Sequence, residues 1–177
     1  MIELSPTGAF GVLRLPLEQG ETRLSAIAPP RITAIAPYPG QMNALSRRLG
    51  AFPAPGEVHD GQLRLVWSGR EMAFAFGEGL PEGLEDFAAL CDQSDAWAGL
   101  ALVGQDAQAV LARLVALDLR ALAAPSSARA LMGHLPLLLI KESDTRFDLW
   151  TFRSMADSLV HEMEAAMRGV AARRAIS

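Results

Sequence analysis

The segment 91–163 constrains the fold most, because it lays a strand, a helix, a strand pair and a second helix end to end with little interruption. After Cys91-Asp92-Gln93-Ser94-Asp95-Ala96-Trp97 comes an apolar strand over 99–103, a break at Gly104 and a helix over 106–117. In that helix Ala107, Val110, Leu111, Leu114 and Leu117 form one stripe able to cover a sheet face. The run 130–140, containing Leu135-Pro-Leu-Leu-Leu-Ile140, leads into a second strand over 146–152. Arg153 and Ser154 then head a long helix, with Ser154 and Asp157 at capping-box-like spacing and Met155, Leu159, Met163, Met167 and Val170 on its buried side. Strands and helices in this order bury their apolar faces by packing helices on a sheet.

The first half repeats that logic with more interruptions. Residues 1–22 alternate poorly and are broken by Pro6, Gly8, Gly11, Pro16 and Gly20, the pattern of an extended arm. Residues 31–36 alternate as a half-buried strand, and Pro37-Tyr-Pro-Gly40 turns the chain into a helix over 41–49. Leu63, Leu65 and Trp67 share one strand face, as do Met72, Phe74 and Phe76, with Ser68-Gly69-Arg70 as the turn of a hairpin that has one wet face. A short helix is expected over 81–90, with Pro81 in its first turn and Leu84, Phe87 and Ala88 inward. The strand after Ser94 would then complete a split, ferredoxin-like unit. The fold class expected is α+β, with antiparallel sheets, packed helices and ferredoxin-like units. Its organisation is an arm over 1–22 and one compact domain over 23–177, built of pseudo-halves 23–103 and 104–177.

Composition excludes several functions. At 177 residues the chain buries roughly 70% of the surface its unfolded form exposes. Half the residues are apolar and 20% charged, more apolar material than one small core needs and a sign of a face covered by a partner. A net charge of -4 and a pI near 5.4 argue against a nucleic-acid footprint. One cysteine forms no internal disulfide and no Cys-x-x-Cys signature. Glu3, Pro6 and Gly8 stand where a secretory signal needs an apolar run, and 135–140 falls far short of the ~20 residues that span a bilayer. A cytoplasmic protein without membrane insertion is expected.

The chain carries no Gly-x-Gly-x-x-Gly after a strand, and Gly77-Glu-Gly79 leads into Pro81 with no lysine for phosphate. His59, His134 and His161 lack metal-ligand spacing. Cys91 has no local base to activate it and reads as a small core thiol. Asp92 and Asp95 could act as acid and base, but Asp92, Gln93 and Ser94 before a strand read better as a turn whose side chains cap backbone amides. Arg153 belongs with them as a structural residue where strand gives way to helix. Trp67, Trp97 and Trp150 are candidate interface residues, with core packing and stacking on a flat ligand such as a pterin as the other roles open to them. No catalytic, cofactor-binding or metal-binding residue is assigned.

Asp-Gln-Ser at 92–94, Gly-x-Asp-Ala-x-x-Val-Leu at 104–111, Leu-Asp-Leu at 117–119, the Leu-Pro-Leu-Leu-Leu run and Phe-Arg-Ser at 152–154 together resemble the gamma subunit of heterotetrameric sarcosine oxidase. The likeness covers the C-terminal half well and the first ninety residues in outline. That family looks like the folate-binding domains of the glycine cleavage T-protein. The resemblance implies a non-catalytic companion of a large alpha subunit, with beta and delta subunits, in a complex that demethylates sarcosine to glycine, forms peroxide and passes the one-carbon unit to tetrahydrofolate. FAD, FMN, NAD, zinc and tetrahydrofolate would, on the same grounds, belong to the other chains. In the T-protein pattern the stretch matching 133–140 carries an aspartate used in folate chemistry, whereas here it holds no acid. A pterin loses its carboxylate anchor there, so the fold is kept without the site. The competing expectation is a stand-alone folate-binding, one-carbon-transfer protein. An isolated chain that must cover an apolar face is also a candidate homo-oligomer.

Overall fold

In a computed structural model that describes residues 8–11, 13–28 and 30–176, the chain folds into two antiparallel sheets packed face to face, with helices on the outer faces. The six-stranded sheet runs β1 (Leu17–Gln19), β2 (Thr22–Ala26), β8 (Trp97–Gly104), β11 (Arg146–Phe152), β10 (Leu135–Ser143), β9 (Ser126–Met132). The five-stranded sheet runs β4 (Val58–His59), β5 (Arg64–Gly69), β6 (Met72–Phe76), β3 (Ile32–Pro37), β7 (Ala88–Asp92). Helix α1 (Met42–Leu49) covers the smaller sheet, while α2 (Ala107–Leu111) and α3 (Ala156–Arg174) cover the larger. The α+β class with antiparallel sheets and packed helices is therefore the one observed.

Three cores follow from strand alternation. On β10, Leu137 and Leu139 point to the helices and join Leu24, Leu100, Leu102, Phe147, Leu149 and the α3 residues Leu159, Met163 and Met167. Leu138 and Ile140, one step out of phase, point to the other sheet and meet Ile32, Val66, Phe74, Trp97 and Trp150. Successive strand residues face opposite sides, so a strand covered on both must be apolar throughout, and 135–140 is. The third core lies under α1, where Leu45 packs on Ile35, Leu65 and Ala75.

In the smaller sheet, β3, α1, β5, β6 and β7 show the ferredoxin-like strand order. The strand that completes it is β7, not the one after Ser94, which belongs to the larger sheet. The helix expected over 81–90 is a single 3-10 turn at Leu84–Asp86; beyond it Ala88 to Asp92 pair with β3, so sheet hydrogen bonds override the local helical pattern. The β5–β6 hairpin has no wet face, since Leu65 faces α1 while Val66 and Phe74 face the other sheet. Its turn falls at Arg70 and Glu71, after a bulge between Trp67 and Gly69.

The helix expected over 106–117 stops at Leu111, because Val115 bridges to Met132 of β9 and draws the chain onto the sheet. Buried Lys141 holds the following loop, donating to the carbonyls of Leu119 (3.0 Å) and Leu122 (2.9 Å) and pairing with Asp144 at 2.8 Å. Ser154 does not cap α3, which starts after a 3-10 turn at Arg153–Met155 with no side-chain cap bond. Within the segment expected as an arm, Leu17–Gln19 pair with β2, and Phe10, Leu13, Leu15 and Leu17 pack against the chain's own helix-side core; residues 1–7 lie outside the described residues. The segment 97–104, placed at the end of the first pseudo-half by sequence, is a central strand of the larger sheet, and the smaller sheet is an insertion between β2 and β8.

Gly104 closes that insertion point. It has φ 140° and lies against β2 so closely that a Cβ would overlap the Glu21 carbonyl oxygen. Gly104→Ala is expected to destabilise the chain by at least about 2 kcal/mol, from backbone strain plus overlap. Urea unfolding measures this, and an unchanged midpoint would show that the β2–β8 contact relaxes freely.

Candidate functional site

The residues singled out in the sequence gather where the two sheets join. Asp92 ends β7, and its Oδ1 accepts hydrogen bonds from Ser94 N (2.9 Å) and Ser94 Oγ (2.6 Å). Ser94 Oγ in turn accepts from Ile32 N at 3.0 Å, and Gln93 N donates to Ile32 O at 2.8 Å. The Gln93 side chain donates to Cys91 Sγ at 3.1 Å, and Cys91 is exposed on the edge strand β7, not the core thiol expected. Ala96 N bonds to Gln93 O, and Arg153 N bonds to Ala96 O at 2.8 Å. Thus 92–96 ties the first strand of the smaller sheet to the start of β8 and to the strand–helix junction at Arg153. The two bonds from Ser94, hydroxyl first and amide second, hold the Asp92 carboxyl below its ordinary pKa.

Above this turn lies an aromatic layer between the sheets. Trp97 meets Phe74 edge-on at 5.2 Å and Phe152 at 4.9 Å, and Trp150 meets Phe76 at 5.1 Å. The Trp150 ring crosses β8 at Gly99, where a Cβ would come within 2.7 Å of it. Trp97 and Trp150 are thus buried between the chain's own sheets, while Trp67 is half-buried on β5. Neither buried indole N–H has a hydrogen-bond partner among the described residues, so these rings contribute through packing. Beside them is an apolar cavity of about 420 Å3, lined by Phe10, Ile27, Trp97, Gly99, Trp150 and Arg153 among others.

The opposite end of the joint is polar. Ser127 of β9 donates through N to Gly56 O (2.8 Å) and through Oγ to Trp67 O (3.0 Å), binding the larger sheet to the smaller. Arg64 of β5 pairs with Glu142 of β10 at 2.7 Å and with Asp60 at 3.1 Å. Nearby Asp148 is buried on β11; burial raises its pKa, opposed by the bond from Arg146 at 3.2 Å. Sequence reading missed this group and Lys141, although isolated charges inside apolar strands, Asp148 in Phe-Asp-Leu-Trp and Lys141 after Ile140, were the available signal.

His134 and His161, distant in sequence, line one cleft of about 600 Å3 with Arg113, Asp157 and Glu162, while His59 is on β4. Among the described residues no group of three or more His, Cys, Asp and Glu side chains could hold a metal ion. No helix among them is long and apolar enough to cross a membrane.

The fold has a counterpart among solved structures. A chain of the heterotetrameric sarcosine oxidase from Corynebacterium sp. U-96, determined in complex with pyrrole 2-carboxylate, matches it with a TM-score of 0.75, covering 88% of each chain at 22% identity. The protein shares the fold of that chain. The regulatory subunit of aspartate kinase from Thermus thermophilus, in its ligand-free form, aligns at TM-score 0.35 and 12% identity, covering 84% of this chain and 97% of that one. No family model and no curated protein matches the sequence.

Two expectations follow from the charges at the joint. The depressed pKa of Asp92 means that its ionised form stabilises the fold above the ordinary carboxylate pKa, and that this contribution disappears as pH falls through the lower, folded value. Asp92→Ala is therefore expected to lower the melting temperature at neutral pH and to match the wild type in strong acid; equal melting at neutral pH would show that the turn does not depend on the carboxylate. For Asp148 the sign is reversed. A folded pKa raised by burial makes the ionised form a cost above that pKa, a cost absent below the unfolded value. Asp148→Asn is expected to be at least as stable as the wild type at neutral pH, with the difference closing on acidification; a less stable variant at neutral pH would mean that the Arg146 bond outweighs desolvation.

Proposed function

We propose that this chain is a non-catalytic gamma-type subunit of a cytoplasmic, heterotetrameric sarcosine-oxidising complex, docking on the large alpha subunit beside the beta and delta chains. The observation that carries the reading is the fold shared, over most of both chains, with a chain of a heterotetrameric sarcosine oxidase. The motifs at 92–94, 104–111, 117–119, 135–139 and 152–154 point the same way. In this reading FAD, FMN, NAD, zinc and tetrahydrofolate, and the demethylation of sarcosine with peroxide formation and one-carbon transfer, belong to the other subunits.

Two features of the site support a structural role. In the stretch 133–140, which matches the region where the T-protein pattern carries its acid, the strand side chains are committed to packing: Leu137 and Leu139 lie under the helices, and Leu138 and Ile140 lie between the sheets. The carboxylate at 92, the other candidate for acid–base work, is engaged by Ser94 in the turn. A companion chain needs a rigid frame with a surface to present, and two sheets tied at both ends of their joint supply one.

The purified chain is expected to be colourless and inactive on sarcosine in a peroxide-coupled assay. Co-expressed with the large subunit of such a complex, it is expected to co-elute with that subunit in size-exclusion chromatography. A stoichiometric flavin on the lone chain, or a stable monomer that binds tetrahydrofolate and never co-elutes, would replace this reading with a stand-alone folate protein.

A further inference from the structure

The larger sheet is only partly covered by the smaller. Cross-strand pairing puts Leu131 of β9 beside Pro136 of β10, and Phe152 of β11 beside Trp97 of β8. Thr151 Oγ1 donates to Pro136 O at 2.8 Å and brings the two pairs together. By alternation this row lies on the same face as Leu138 and Trp150, the face turned to the smaller sheet. Yet Leu131 is 62% and Phe152 38% exposed, so the covering sheet stops short of them.

Arg129, two residues before Leu131 on the same face, lays its guanidinium 5.3 Å from the Trp97 ring centroid. Among the described residues no carboxylate pairs with it or accepts a hydrogen bond from it. Partial burial lowers its pKa, and no anion among the described residues offsets that cost. A guanidinium stacked on tryptophan and flanked by exposed leucine and phenylalanine has the composition of an interface hot spot, and its missing element is a negative charge.

We propose that the uncovered residues Leu131, Pro136 and Phe152, with Arg129 laid over the buried Trp97, form the surface on which the large companion subunit docks, and that this subunit brings an Asp or Glu carboxylate to Arg129. The proposal rests on the subunit reading above and adds the contact face and its charge. A second copy of this chain fits poorly, because a two-fold contact sets a patch against itself and none of these five residues is acidic. Nucleic acid fits poorly as well, since the chain carries a net charge of -4.

The test compares the wild type with Arg129→Glu, Arg129→Gln and Leu131→Asp, and with Arg120→Glu as a control in the loop held by Lys141. Each is titrated with the large subunit in complex with its beta and delta chains, and near-UV circular dichroism confirms folding. Arg129→Glu and Leu131→Asp are expected to weaken binding at least about 30-fold, the effect of losing a hot-spot contact, with Arg129→Gln intermediate and Arg120→Glu unchanged. If Arg129→Glu binds like the wild type, the docking face is wrong and the subunit reading stands. If the folded wild type does not bind the large subunit, both fail. Leu131→Asp dissolving a wild-type homodimer while large-subunit binding persists would assign the row to a second copy. That result overturns the proposal.

Discussion

The structure depends on burying both faces of one sheet. The six-stranded sheet has helices on one side and a second sheet on the other, so β10 and β11 cannot use the common economy of one apolar and one wet face. Leu135 to Ile140 satisfy this without a single polar side chain, and β11 does so with Phe147 and Leu149 outward and Trp150 inward. The high apolar content of the chain follows from this architecture first. Leu131 and Phe152, left uncovered, stand outside that requirement.

Face-to-face sheets must also be held in register, and the two ends of the joint use different physics. At the Trp97 end, aromatic rings interlock, and β8 contributes Gly99 where the Trp150 ring crosses it. At the Arg64 end the bonds are charged and directional: Arg64 to Glu142, and Ser127 to the backbone at Gly56 and Trp67. Packing tolerates sliding more readily than hydrogen bonds do, so the directional contacts of the polar end set the register that the aromatic packing alone would leave loose.

Much of this was legible in the sequence where one element answers to one signal. The strands at 31–36, 99–103 and 146–152, the helix at 41–49 and the inward residues of α3 follow from periodicity alone, as does the α+β class. Readings failed where pairing with distant residues decided the outcome. Residues 88–92 pair with β3 despite a helical pattern, α2 ends early because Val115 reaches Met132, and the β5–β6 hairpin looked half-wet because the residues covering it, Trp97 on β8, Leu138 and Ile140 on β10 and Trp150 on β11, lie far off in sequence. The turn at 92–94 was readable, since Asx chemistry is local, whereas the Arg129 surface was not. An arginine beside Leu131 carries no sign of being unpaired until the strands are assembled.

The placement of the smaller sheet has a consequence for how the chain reaches its native state. Strands β2 and β8 are hydrogen-bonded neighbours, yet the whole ferredoxin-like unit is threaded between them. Joining them from a flexible chain closes a loop on the order of 70 residues, an entropic cost of roughly 4 kcal/mol. A compact insert brings its two ends close and shortens the effective loop. The unit spanning β3 to β7 therefore works as a folding clamp: the order in which it forms sets the rate at which the edge strands β1 and β2 find their place, and a chain caught before that step exposes the open edge of β8.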